Sequence, residues 1–280
     1  LALSWSSFIL DNEYQIIPGT TYDLEMINGM AYLQQQGLLK DGDTVGHIFI
    51  GGEYGENGLL GAKAYAAQHN IRIQEAKVAA TDTDMTNIVT GFQGAGVKAI
   101  LLTTTPAQTA STLNAATALG LDVPVMGNNP VFDPATNLAG PAAASVGNLY
   151  VSASGVPYSS EVPKAAEVRK KFEAKYPDAS KNAGVPYGYA GGIIWQQILE
   201  QACERGDLTR AGVHQAFLDA ENLSTEGLVA SELDFTKPGT PASRSVYIAQ
   251  ADPKVPGGLR QVTDVFSAPE AQSYVAPFQK

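Results

Sequence analysis

The chain has 280 residues, 44% of them apolar, with a net charge of −10 and an isoelectric point near 4.7. That length and apolar content suit one large domain or two lobes with sizeable cores. The acidic balance excludes the basic surface that a nucleic acid or an anionic membrane would need.

No stretch approaches the roughly 18 apolar residues of a membrane span, and no secretory signal is visible. The single cysteine, Cys203, rules out an intrachain disulfide and reads as a small buried apolar residue in a helix. The chain opens at L-A-L-S-W-S-S without a start methionine, inside what reads as a strand end at Leu1 to Leu3, as expected of a chain whose beginning is missing.

A loop of hydroxyls and aromatics follows from Ser4 to Phe8, then a short strand from Tyr14 to Ile17 that Pro18-Gly19 stops. Thr20 or Thr21 can cap a helix in which Leu24, Ile27 and Met30 recur at helical spacing, and Gly37 ends it. The apolar run Val45 to Ile50 has the length of a buried strand, breaks at Gly51-Gly52, presents Glu53 and Tyr54 on a loop, and leads to a helix from about Asn57 to His69. A strand over Ile71 to Val78 and a helix over Met85 to Gly94, capped by Thr83 or Asp84, come next. The strand Lys98 to Thr103 passes through Thr104-Thr105-Pro106 into a helix that Gly120 terminates. Val123 to Met126 is a fourth strand, followed by the loop Gly127-Asn128-Asn129-Pro130. Four strands alternating with helices specify a parallel sheet with helices on both faces, in a lobe of roughly Tyr22 to Gly147.

After Asp133 the pattern changes. A strand is expected over Leu149 to Ala153, and helices over Lys164 to Tyr176, Gly188 to Glu204 and Thr209 to Ala220, with Trp195 central to a second core. Strands over Leu228 to Phe235, Ser245 to Ala249 and Leu259 to Val265 complete the chain, the later ones antiparallel. Residues 1–20 and about 153–235 read as two parts of one other lobe.

No phosphate-binding loop or dinucleotide fingerprint is present, and no G-x-S-x-G elbow. The three histidines, His47, His69 and His214, lack metal-ligand spacing, so neither a metal nor a cofactor is expected. What recurs is neutral hydroxyl, amide and aromatic chemistry after the strands: Ser4-Trp5-Ser6-Ser7, Glu53-Tyr54, Thr103-Thr104-Thr105 and Asn128-Asn129. Each alone is ordinary turn chemistry. Together at one sheet edge they suit a small polar ligand with an aromatic over its apolar part, and they favour binding over catalysis.

The order of these elements, with Y-G-E-N-G after the first strand, T-T-T-P after the third and L-G-L-D-V-P-V-M-G-N-N at the fourth, resembles the type I periplasmic substrate-binding proteins of ABC transporters, branched-chain amino acid branch. The resemblance implies an α/β fold of two doubly wound parallel-sheet lobes joined by three crossing segments. The lobes would be 1–20 with 153–235, the N-terminal one and incomplete at its start, and 21–152 with 236–280. It places the family's carboxylate-holding loop on Trp5, Ser6 and Ser7, its covering tyrosine on Tyr54, and a contact from the third strand end at Thr104 or Thr105. The acid that pairs with an amino acid's ammonium would fall at Asn129 or next to it. Asparagine cannot supply that charge. Glu53 stands as a substitute, and Trp5 is bulkier than the family's small residue. The ligand is therefore left open between an amino acid, an amide and a carboxylate without an ammonium.

The implied function is an exported solute-binding protein, periplasmic or at the cell surface and lipid-anchored, monomeric and not an enzyme. Its partners would be the ligand and the transporter's membrane permease subunits. The alternative is a ligand-sensing receptor or regulator domain of the same fold, which an ending at Phe278-Gln279-Lys280 without a membrane helix disfavours.

Overall fold

The computed structural model describes residues 4–277 and 279. The strand end expected at Leu1 to Leu3 lies outside these residues, as do Phe278 and Lys280.

Seven strands form a single sheet: β1 Thr44–Ile50, β2 Arg72–Val78, β3 Ala99–Thr103, β4 Val125–Asn128, β5 Leu149–Ala153, β6 Tyr247–Ala251 and β7 Leu259–Gln261. They lie in the order β2-β1-β3-β4-β5-β6-β7, parallel from β2 to β5 and antiparallel at β6 and β7. Nine helices accompany them among the described residues: α1 Tyr22–Gln35, α2 Glu53–Gln68, α3 Thr86–Gly94, α4 Pro106–Leu119, α5 Pro134–Asn137, α6 Pro163–Lys175, α7 Gly184–Glu204, α8 Arg210–Leu218 and α9 Pro269–Ser273.

Strand alternation sorts the core onto two faces. Val45, Leu101 and Met126 face α1 and α2, where they meet Leu24, Ile27, Met30 and Tyr65. Ile48, Ile100 and Leu102 face α3 and α4, where they meet Val89, Phe92 and Leu113. A third core lies off the sheet, where Val168 of α6, Ile194 and Ile198 of α7 and Phe217 of α8 close over Ile16, Val156, Leu228 and Leu233.

Because α2 and α4 cover opposite faces, the turns after β1 and β3 diverge. This is the switch point of an open α/β sheet, where a crevice forms at the carboxyl edge. Two close approaches hold α2 beside that crevice. A Cβ on Gly58 would lie 2.4 Å from Thr103 Oγ1 and one on Gly61 would lie 2.1 Å from the Asp23 carbonyl oxygen, so only glycine fits at either place.

The alternating strands and helices, the left-handed Gly120 (φ +65°) that ends α4 and the antiparallel β6 and β7 follow the sequence reading. Several expectations are corrected. Helix α2 begins at Glu53, so Glu53 and Tyr54 belong to its first turn instead of a loop. Gly51-Gly52 alone makes the turn, and Glu53 and Glu56 suit the positive end of the helix dipole.

Asn128 closes β4 instead of lying in the loop after it. Tyr14 to Ile17 and Leu228 to Phe235 are not strands: among the described residues no strand runs beside them, and the second makes isolated bridges at Val229 and Leu233. Neither Thr21 nor Asp84 is the N-cap by its side chain; Thr21 donates to Asp23, and Asp84 accepts from the Thr86 amide just inside α3. Trp195 packs at the rim of the third core, and Cys203 is exposed, because Ala202 takes the inward position at that turn of α7.

Candidate functional site

Helix α1 is the base of the site. Residues Tyr22 through Leu33 are all buried, since α1 is pressed between α2, β4 and β5. Its first turn carries two acids, which suits the helix dipole but places both out of water.

Asp23 is fully paired. Its Oδ2 accepts from Ser7 Oγ (2.6 Å) and Tyr274 Oη (3.0 Å), and its Oδ1 accepts from the Thr21 hydroxyl. Asn57 of α2 completes this group, donating from Nδ2 to Ser7 Oγ (2.6 Å) and accepting at Oδ1 from the Ser7 amide (3.1 Å).

Glu25 is different. It is fully buried and has no ion-pair partner among the described residues. Oε2 accepts from Asn128 Nδ2 (3.1 Å) and from the Asn129 amide (3.2 Å), while Oε1 has no hydrogen-bond partner among the described residues. Burial pushes its acidity up to about 8, against the Asn128, Asn129 and Ser154 groups that favour the charged form, and neighbouring Asp23 adds to the rise.

Four aromatic rings from four stretches of chain gather near this carboxyl. Trp5 lies 4.4 Å from Tyr187 of α7 and 6.5 Å from Tyr22, ring centre to ring centre. Tyr22 meets Tyr54 edge to face at 4.7 Å. These distances and tilts are those of favourable aromatic pairs. Tyr54 Oη donates to the Thr104 carbonyl (3.3 Å) and so bridges the crevice between the turns after β1 and β3. Tyr187 Oη donates to the Pro18 carbonyl (3.3 Å), tying α7 to the segment that enters α1.

All three phenols are held neutral. Tyr22 is pushed up to about 12 by burial and then by Glu25. Tyr54 and Tyr187 are raised well above their ordinary range, by burial first and then by Tyr22 and Glu25.

The structure therefore brings Trp5, Tyr54, Asn128, Asn129 and the Thr104 carbonyl together around Glu25. Ser6, Ser7, Glu53 and Thr105 have other duties. Ser6 Oγ accepts from the Phe8 amide, and Ser7 serves Asp23 and Asn57. Glu53 is exposed and accepts from Ser4 Oγ (2.5 Å). Thr105 forms the capping box of α4 with Gln108. The Thr104 hydroxyl pairs with Thr109 at 3.1 Å.

Sequence reasoning missed Tyr22, Glu25 and Tyr187. The signal for Glu25 was present in D-L-E-M-I-N-G-M-A-Y-L, which is apolar on nearly every face beyond its first turn. Such a helix is buried all round, and an acid within it is buried too.

His47, on β1, is buried and neutral, lowered to about 3 by burial, with Nε2 on Thr103 Oγ1 at 2.8 Å. His69 and His214 lie apart from it, and no group of His, Cys, Asp and Glu among the described residues could hold a metal ion. No helix among them is long and apolar enough to cross a membrane.

Turns at a sheet's switch point, covered by aromatics and floored by buried polar groups, define a small-molecule binding protein. The chain belongs to the periplasmic binding protein family, whose model matches residues 10–257. Its fold is that of the type I members, as the sequence resemblance implied. No curated protein sequence matches it significantly.

Among solved structures it is similar to a fatty acid ABC transporter substrate-binding protein from Thermomonospora curvata. That pair shares 33% identity over 98% of this chain and 70% of that one, with a TM-score of 0.91. A branched-chain amino acid ABC transporter protein from Thermus thermophilus, with bound valine, shares the fold at 20% identity, over 96% of this chain and 72% of that one, TM-score 0.80. A leucine-binding protein from Thermotoga maritima does so at 15% identity, over 93% and 70%, TM-score 0.75.

Proposed function

We propose that this protein is the extracytoplasmic solute-binding component of an ABC importer and that its ligand is a small carboxylate with an apolar tail. It acts by binding alone, performs no chemistry, and hands its ligand to the transporter's membrane permease subunits. The lobes would be residues 1–20 with 153–235 and 21–152 with 236–280, closing on the ligand by hinge motion.

The observation that carries this reading is the convergence of Trp5, Tyr22, Tyr54 and Tyr187 beside the buried Glu25 and Asn128 and the half-buried Asn129. Rings of this kind cover an apolar tail, and the buried polar cluster of Glu25 and Asn128 beneath them suits a polar head group. Asn129 stands where an amino acid's ammonium would need a charge, which favours a ligand without one. The substrate class printed for the Thermomonospora curvata relative points the same way.

A thermal-shift screen of the purified protein tests the reading, with octanoate, phenylacetate, their amides and leucine at pH 7. A ligand at a hundred times its Kd adds about 2.7 kcal/mol of stability, a plain rise in Tm. The carboxylates are expected to give it. A rise with leucine alone, or with none of them, overturns the ligand class.

A further inference from the structure

We infer that Glu25 recognises the ligand's head group as a neutral carboxylic acid, donating a hydrogen bond from Oε1 to the ligand's carboxylate, so that binding depends on a proton held by the protein. The inference rests on the carboxylate reading above and names the group that meets the head group.

The geometry divides the two oxygens of Glu25. Oε2 is taken by two donors, Asn128 Nδ2 and the Asn129 amide. Oε1 is buried and has no hydrogen-bond partner among the described residues. Asn128 is itself anchored, since Nδ2 also donates to the Tyr22 carbonyl at 2.9 Å. The carboxyl is thus held in one orientation, with Oε1 outside any hydrogen bond among the described residues and the Ser154 backbone amide the nearest further donor to the carboxyl.

The surroundings favour the neutral form. From its own helix Glu25 faces Tyr22 and the carboxylate of Asp23, from α2 the phenol of Tyr54, and from α7 the phenol of Tyr187. Beyond β5 it meets the Ser154 backbone, and from β4 amides. No cation among the described residues stands with these groups. A buried carboxyl near another carboxylate and without a counter-ion keeps its proton well above the usual carboxylate range, here to about 8.

A protonated Glu25 offers an O–H on Oε1, which no hydrogen bond among the described residues engages. An ionised ligand carboxylate is the acceptor that fits it, giving a charge-assisted hydrogen bond. A ligand ammonium could use Oε1 only after Glu25 had lost its proton. No covalent bond forms: at a pH where Glu25 is ionised, binding takes up one proton from solvent.

The test is calorimetric titration of octanoate into the wild type, Glu25→Gln and Glu25→Ala between pH 6.5 and 9.5. Two buffers of different ionisation enthalpy at pH 9 count the protons. Glutamine copies the neutral acid, with its carbonyl beneath the two donors and its amide in the place of Oε1–H.

Wild-type affinity should fall about tenfold per pH unit above the titration of Glu25, with close to one proton taken up at pH 9. Glu25→Gln should bind within about threefold of wild type at pH 7 and show no pH dependence, while Glu25→Ala should lose at least about tenfold. Loss of binding in Glu25→Gln equal to that in Glu25→Ala overturns the inference and leaves the ligand class standing, as does a flat wild-type profile. Failure of the wild type to bind any carboxylate overturns the ligand class, and this inference with it.

Discussion

Replacing Glu25 by glutamine should stabilise the ligand-free protein, and more so as the pH rises. The carboxyl titrates near 8 in the folded chain and near its ordinary 4.5 when the chain unfolds. Between those values the folded state binds a proton that the unfolded state has released. Stability contributed through Glu25 therefore falls steadily as pH rises from 4.5, and the loss is complete above 8. At about 1.4 kcal/mol per pH unit the full penalty has a ceiling of about 5 kcal/mol, and water entering the site would reduce it to about 2–4 kcal/mol.

Glutamine keeps the shape and the two hydrogen bonds and cannot ionise. His47 has the opposite bias: its lowered pKa costs stability as pH falls from about 6.5, because the unfolded chain then binds a proton that the folded chain refuses. Comparison of variant with wild type cancels that background, and the window from pH 6.5 to 9 isolates Glu25. Urea melts across this window should show the advantage of Glu25→Gln growing until about pH 8 and then levelling. A constant difference, or a variant less stable than wild type at pH 9, refutes the argument that Glu25 is a buried acid without a counter-ion.

Tyr54→Ala removes the ring that crosses the crevice and meets Tyr22 at 4.7 Å; octanoate affinity should drop about 10- to 100-fold with the circular dichroism unchanged, and unchanged affinity would take Tyr54 out of the site. Gly61→Ala drives a Cβ against the Asp23 backbone and should lower Tm by roughly 5–10 °C, about 2–3 kcal/mol at this chain length; no loss would show that α1 and α2 are not packed this closely. Asn129→Asp adds a carboxylate to the residue whose backbone amide binds Glu25 and should move preference from octanoate toward octylamine in calorimetry, whereas an unmoved preference would place the side chain of residue 129 away from the head group.

The sheet was legible because its signals are local. Val45 to Ile50 and Lys98 to Thr103 are mostly apolar runs of strand length, and Leu119-Gly120-Leu121 is a helix stop whose mechanism sits in three residues. The start of α2 was not legible by the same means. Gly55, Gly58 and Gly61 look like loop residues in the sequence, and their reason is packing against Ile50, Thr103 and Asp23, which no local signal contains.

The strands expected at Tyr14 and at Leu228 fail for a related cause. Their apolar residues are buried by helices α7 and α8 and by Trp5, and period alone does not say what buries them.

The site divides in the same way. Tyr54, Asn128 and Asn129 follow strands and could be read in order. Trp5, Tyr22, Glu25 and Tyr187 become one group only when residues more than a hundred and fifty positions apart are brought together by the fold. Ser7 illustrates the converse: its hydroxyl reads as a ligand donor, but Asp23 and Asn57 already engage it.

The most direct test of the central claim uses Trp5 as its own reporter. The chain has two tryptophans, and Trp195 lies on α7 at the rim of the third core, apart from the ring cluster. In a Trp195→Phe variant, Trp5 is the sole indole, its ring centre 4.4 Å from that of Tyr187. Titration with octanoate at pH 7 should give a saturable, one-to-one change in its fluorescence that octylamine does not produce. A signal that stays flat with every carboxylate tried, or that follows the amine instead, would contradict the account.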